Sequence, residues 1–126
     1  MFGQYAYDLP FYARLTEPVG VVDDWSSPEV RQHDNWRKEL SDAGRFASAA
    51  RAASILIDPA ALPAALCRSS VSWVIGPARA SATYPYLARA DIVSTRRDTT
   101  LWRVDAARPA VARALGCAAV PPSPAA

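Results

Sequence analysis

Residues Val19-Gly20-Val21-Val22-Asp23-Asp24-Trp25 constrain the fold more than any other stretch of the chain. Small and β-branched residues run together without polar alternation, the pattern of a strand buried on both faces of a parallel sheet. The run stops abruptly in two carboxylates and an indole. In an open α/β sheet, ligands bind outside the carboxyl ends of the strands, which places Asp23, Asp24 and Trp25 at an expected functional rim.

The flanking sequence builds outward from that strand. Phe2 to Tyr7 alternates aromatic with small or polar residues and predicts a first strand. Asp8-Leu9-Pro10 opens a short helix whose apolar face is Phe11, Tyr12 and Leu15, and Glu17-Pro18 stops it. This is a β-α-β unit with a right-handed crossover. Ser26-Ser27-Pro28-Glu29 predicts a second helical turn with a serine cap. A further helix starts at Asp34 or Asn35, with Trp36 and Leu40 one turn apart and Ala43-Gly44 weakening it. Phe46 to Leu56 suits a helix, yet Ile55-Leu56-Ile57 equally suits a strand, and periodicity does not separate the two.

Asp58-Pro59 caps a helix over Ala60 to Cys67, with Leu62, Leu66 and Cys67 inward and Pro63 near its first turn. Val71 to Ile75 is a strand closed by Gly76-Pro77. A helix interrupted near Tyr84-Pro85 follows, with Tyr86 and Leu87 packing back. Ile92 to Arg97 and Thr100 to Val104 read as strands joined by a tight turn at Asp98-Thr99. Trp102 and Val104 share one face, Leu101 and Arg103 the other. Ala106 to Leu115 makes at most a frayed helix. The expected fold is a small three-layer α/β domain with a mainly parallel, Rossmann-like sheet and an antiparallel edge hairpin. It would occupy residues 1–107, with 108–126 as a flexible, proline-bearing tail.

Chemistry is sparse. The chain has 126 residues and a formal charge of +2, with signs interspersed and no basic run beyond Arg96-Arg97, a balance that does not suit a nucleic-acid partner. Glycine-rich phosphate loops and G-x-S-x-G are absent, so neither a nucleotide cofactor nor a serine nucleophile is expected. Asp23, Asp24, His33 and Asp34 are acceptable ligands for a divalent cation, the basis of a metal-dependent hydrolase reading. Their spacing matches no defined metal motif, and capping and turn roles suit them better, so no metal is expected. Trp25, Trp36, Tyr7, Tyr12, Tyr84 and Tyr86 include rings that suit stacking on a sugar face, against the plainer role of core and rim packing. Arg37 and Lys38 suit an anionic headgroup or phosphate, and equally suit pairing with Glu39, Asp42 or the acidic edge. Cys67 and Cys117 are 50 positions apart and read as idle or buried thiols in preference to a disulfide. No apolar window is long enough to span a membrane. The start Met1-Phe2-Gly3-Gln4-Tyr5 lacks the pattern of a signal peptide, so export would depend on sequence upstream.

Taken together, Tyr7-Asp8-Leu9-Pro10-Phe11-Tyr12, Pro18-Val19 through Val22-Asp23-Asp24-Trp25, and Asp34-Asn35-Trp36-Arg37-Lys38-Glu39-Leu40 carry a resemblance. Leu66-Cys67, Trp73-Val74-Ile75 and Leu101-Trp102-Arg103-Val104 continue it in the same order. The chain resembles, over about residues 2 to 105, the C-terminal soluble region of bacterial multi-pass glycosyltransferases. These are the dolichyl-phosphate-mannose–protein mannosyltransferase-like and aminoarabinose-transferase-like proteins. The resemblance implies an α/β domain on the periplasmic side of the inner membrane, following a bundle of membrane helices of the same polypeptide. The family transfers a sugar from a polyprenyl-phosphate donor to a lipid or protein acceptor, and its catalytic carboxylate lies in a periplasmic loop near the start of the membrane region, which this chain lacks. No catalytic residue therefore carries over to this chain, whose expected role is accessory, with a lipid-linked sugar or glycan acceptor as partner. The rival expectation is a free-standing carbohydrate- or protein-binding module.

Overall fold

The computed structural model describes residues 1, 2, 9 and 13–118, which fall into two compact units. The first comprises Met1–Leu62 with Ile75–Pro77, the second Pro63–Val74 with Ala78–Ala126.

In the first unit, β1 (Val21–Val22) leads through α1 (Glu29–Gln32), α2 (Trp36–Phe46) and α3 (Ala49–Ile55) into β2 (Leu56–Ile57). β1 and β2 pair in parallel, Val21 opposite Leu56 and Val22 opposite Ile57. Phe2 adds a parallel bridge to Val22, the Val22 N–H donates to the Met1 carbonyl at 2.7 Å, and the Phe2 N–H donates to the Ile75 carbonyl at 3.1 Å. Val21 and Val22 are both buried, as a strand without polar alternation requires. Asn35 is the residue that caps α2, its Oδ1 accepting from the Arg37 and Lys38 backbone N–H groups at 3.0 and 3.4 Å. Gly44 does not end that helix. Leu56 Cδ1 would lie 2.7 Å from a Cβ at this position, so a glycine lets the helix approach β2 closely. The ambiguity over 46–57 resolves as both structures in sequence. Ser48 Oγ accepts from the Arg51 N–H to start α3, and Leu56 turns extended to start β2.

After a 3₁₀ turn at Pro59–Ala61, α4 spans Leu62–Cys67 and β3 spans Val71–Pro77. Then come α5 (Ala80–Thr83), a 3₁₀ turn at Pro85–Arg89, β4 (Asp91–Arg96), β5 (Thr99–Asp105) and α6 (Pro109–Leu115). The sheet order is β3-β5-β4. β4 and β5 run antiparallel, with Ile92 opposite Trp102, Thr95 opposite Thr100 and an irregularity between Ile92 and Ser94. Along β5 the buried residues alternate: Thr100, Trp102 and Val104 turn inward while Leu101 and Arg103 stay partly exposed. Among the described residues of this unit, Leu66, Val74, Ala80, Tyr86, Leu87, Val111 and Leu115 are the other buried apolar ones.

The architecture departs from the expected one. The described residues form a two-stranded parallel sheet and a three-stranded antiparallel sheet, not a three-layer fold around a mainly parallel sheet. The reason lies in strand length. Only two residues of the Val19–Val22 run pair, and α3 takes up the chain to Ile55, leaving two for β2. β3 instead joins the hairpin of β4 and β5, whose two-residue connection permits only antiparallel pairing. That turn is Arg97-Asp98, one residue earlier than expected, with Arg97 in the left-handed region at φ 52°. Residues 108–118 of the expected tail contain α6, closed by Gly116 at φ 72°, a backbone setting that favours glycine. Cys67 and Cys117 are joined in a disulfide. The strand expected over Phe2 to Tyr7 and the helix expected near Asp8-Leu9-Pro10 lie largely outside the described residues.

Candidate functional site

The residues that follow the carboxyl end of β1 are engaged with one another. Asp23 follows β1 directly, and its N–H donates to the Ile57 carbonyl at 3.1 Å, which fixes the backbone. Its carboxylate receives the guanidinium of Arg37 in a forked contact. Nη2 donates to Oδ1 at 3.1 Å, whereas Nε, 2.9 Å from Oδ2, makes a close ionic contact without hydrogen-bond alignment. Oδ1 also accepts the Asp24 N–H at 2.8 Å. The two side chains are only 25% and 17% exposed, so solvent screens the pair weakly. Beside it, Trp25 Nε1 donates to the Val21 carbonyl at 3.0 Å, and the indole meets Trp36 edge-on, with centroids 6.4 Å apart. Helix α2 positions both partners, because Trp36 and Arg37 occupy its first turn after the Asn35 cap.

The other expected site residues do not join this cluster. Asp24 Oδ1 accepts from the Ser26 hydroxyl at 2.8 Å, while His33 and Asp34 sit exposed between α1 and α2. Among the described residues, no three His, Cys, Asp or Glu side chains come together as metal ligands. Lys38 donates to Asp42 at 2.9 Å, one helical turn on. That hydrogen bond holds Lys38 above the usual lysine range and Asp42 below the usual carboxylate range. Arg37 and Lys38, the residues expected to suit an anion, therefore sit beside Asp23 and Asp42. Each already has a carboxylate. The aromatic set divides likewise. Trp25 and Trp36 form one pair, Tyr84 and Tyr86 another at 5.9 Å, and Tyr7 and Tyr12 lie outside the described residues. The Tyr86 ring is buried, which pushes its hydroxyl up to about 12.

A second feature went unread in the sequence. In the second unit, Arg89, Ala110, Arg113 and Ala114 line an open cleft of about 280 Å³. Arg89 ends the 3₁₀ turn and Arg113 is on the last turn of α6. The chain-wide balance of +2 conceals a division of charge. The second unit carries eight arginines and three aspartates, a net +5, whereas the first carries six basic and nine acidic residues, a net −3. The signal was present in the residues but needed the boundary, which is interrupted in sequence. Among the described residues no helix is long and apolar enough to cross a membrane. No family model, curated protein or solved structure matches the chain.

Proposed function

We propose that this chain is the periplasmic accessory domain of an integral-membrane glycosyltransferase. The parent would transfer a sugar from a polyprenyl-phosphate donor to a lipid or protein acceptor, with this domain not catalytic alone. The observation that carries the reading is how the two most distinctive blocks of the resemblance are used. Val22-Asp23-Asp24-Trp25 and Asn35 to Leu40 meet through the Asp23–Arg37 fork and the Trp25–Trp36 contact. Residues spent on each other in this way suit a scaffold that holds a rim in shape, and do not suit a reacting centre, whose acid or base must reach substrate. The Cys67–Cys117 bond supports the location, since disulfides persist on the oxidising side of a membrane.

The test uses the whole reading frame that contains this chain. In spheroplasts, an impermeant maleimide should label Cys67 and Cys117 only after reduction and without lysis. Labelling that requires lysis, or free thiols before reduction, refutes the location. Sugar transfer by the 126-residue chain alone refutes the accessory role.

A further inference from the structure

We propose that the cleft lined by Arg89 and Arg113 is a binding site for a phosphate group carried by a small anion or a lipid headgroup. Two guanidiniums on one cleft are the first observation. Planar N–H forks match phosphate oxygens, and two of them suit a group that carries more than one negative charge. The second observation is that neither fork is spent internally. Arg103 and Arg108 of the same unit are tied to Asp91 and Asp105, with Arg108 Nη1 only 2.8 Å from Asp91. No described carboxylate pairs with Arg89 or Arg113, and none lines the cleft. Both side chains are exposed in a unit of net +5 charge, so an anion can reach them and is attracted by the unit as a whole.

Size and shape narrow the ligand. At about 280 Å³ the cleft sits just below the roughly 300 Å³ at which pockets for drug-sized molecules begin, so it suits a single polar group. Its remaining walls, Ala110 and Ala114, are one turn apart on α6 and leave the guanidiniums uncrowded. Binding therefore depends on the arginines. This inference does not rest on the glycosyltransferase reading, and either can fail alone.

The experiment is a titration of the ¹⁵N-labelled 126-residue chain with inorganic phosphate, and in parallel with vesicles of phosphatidylcholine alone or mixed with phosphatidylglycerol. Amide shifts at Arg89 and Ala110 to Ala114, or partition onto the anionic vesicles, are expected, and both should weaken in high salt. The variant Arg89→Gln/Arg113→Gln should weaken whichever response is seen by about tenfold, a loss of about 1.4 kcal/mol. The charge-matched control Arg96→Gln/Arg97→Gln, in the same unit, should change it by less than about twofold. A response to phosphate identifies a small-anion ligand, and one to anionic vesicles alone identifies a lipid headgroup. Both support the site. No response in either arm, or equal losses in the two double variants, overturns it.

Discussion

The disulfide offers the sharpest quantitative test of how the second unit is held. Cys67 is the last residue of α4, and Cys117 lies two positions beyond Leu115, whose side chain is buried. The bond closes a loop with a sequence separation of 50. In the chain-entropy treatment, a loop of that length removes about 14 cal/mol/K from the unfolded ensemble, or about 4 kcal/mol at 25 °C. For a domain this small that is a large part of the expected stability, typically about 5–15 kcal/mol. Cys67→Ser/Cys117→Ser should therefore lower the urea midpoint by about 2 M, taking a slope near 2 kcal/mol/M. Native-state hydrogen exchange localises the loss. Amides of α6, from Val111 to Leu115, should exchange much faster in the variant, while Val22 and Asp23, bonded to Met1 and Ile57, should keep their protection. A midpoint shift below about 0.5 M, or unchanged protection in α6, would refute the argument that this bond pins α6 to its unit.

Three further outcomes follow from the geometry. A double-mutant cycle between Asp23→Asn and Arg37→Gln should give a coupling of about 2 kcal/mol by urea unfolding, between the values for exposed and buried pairs; coupling near zero would show the fork to be idle. In the 126-residue chain as an isolated polypeptide, the Met1 amine donates to the Gly20 carbonyl at 2.8 Å, and burial lowers its pKa to about 6. Between pH 6 and 8 the unfolded chain then binds the extra proton, so stability should rise with pH across that window by about 2–3 kcal/mol and level off above pH 8. The slope should persist in His33→Gln, and a flat profile would show that the amine titrates normally in the fold. Tyr86→Phe removes a buried hydroxyl that has no hydrogen-bond partner among the described residues, so unfolding should show stability unchanged or raised by up to about 1 kcal/mol; a loss above 1 kcal/mol would reveal a partner.

Local chemistry was legible wherever it is decided within a few residues. Asn35 caps α2 through its own side chain, Pro59 opens a turn, and Trp102 and Val104 share a buried face because strand residues two apart must. The Val19–Val22 run announced a buried parallel strand, and Val21 and Val22 form one. What the run could not announce was its paired length, since pairing depends on how many residues of 46–57 the helix α3 consumes. Local periodicity leaves that count open. For the same reason the expected, mainly parallel sheet gives way to separate parallel and antiparallel sheets.

The candidate site divides along the same line. Aspartates after a strand and an arginine early in a helix are visible in the sequence, but their partnership is not. Asp23 and Arg37 are 14 positions apart, and only the path of the chain through α1 turns one toward the other. The two cysteines looked idle at a separation of 50 because nothing local signals that Gly116 ends α6 and is followed by a residue within bonding reach of α4. The cleft of Arg89 and Arg113 is the clearest case. Composition determined that this chain would carry many arginines, most of them in its later half. Only tertiary structure, by dividing the charges into units of −3 and +5 and aligning a 3₁₀ turn with a helix, decided which two remain unpaired on one cleft. Sequence sets the supply of charges and apolar faces, whereas their pairing depends on distances in space that neighbours along the chain do not encode.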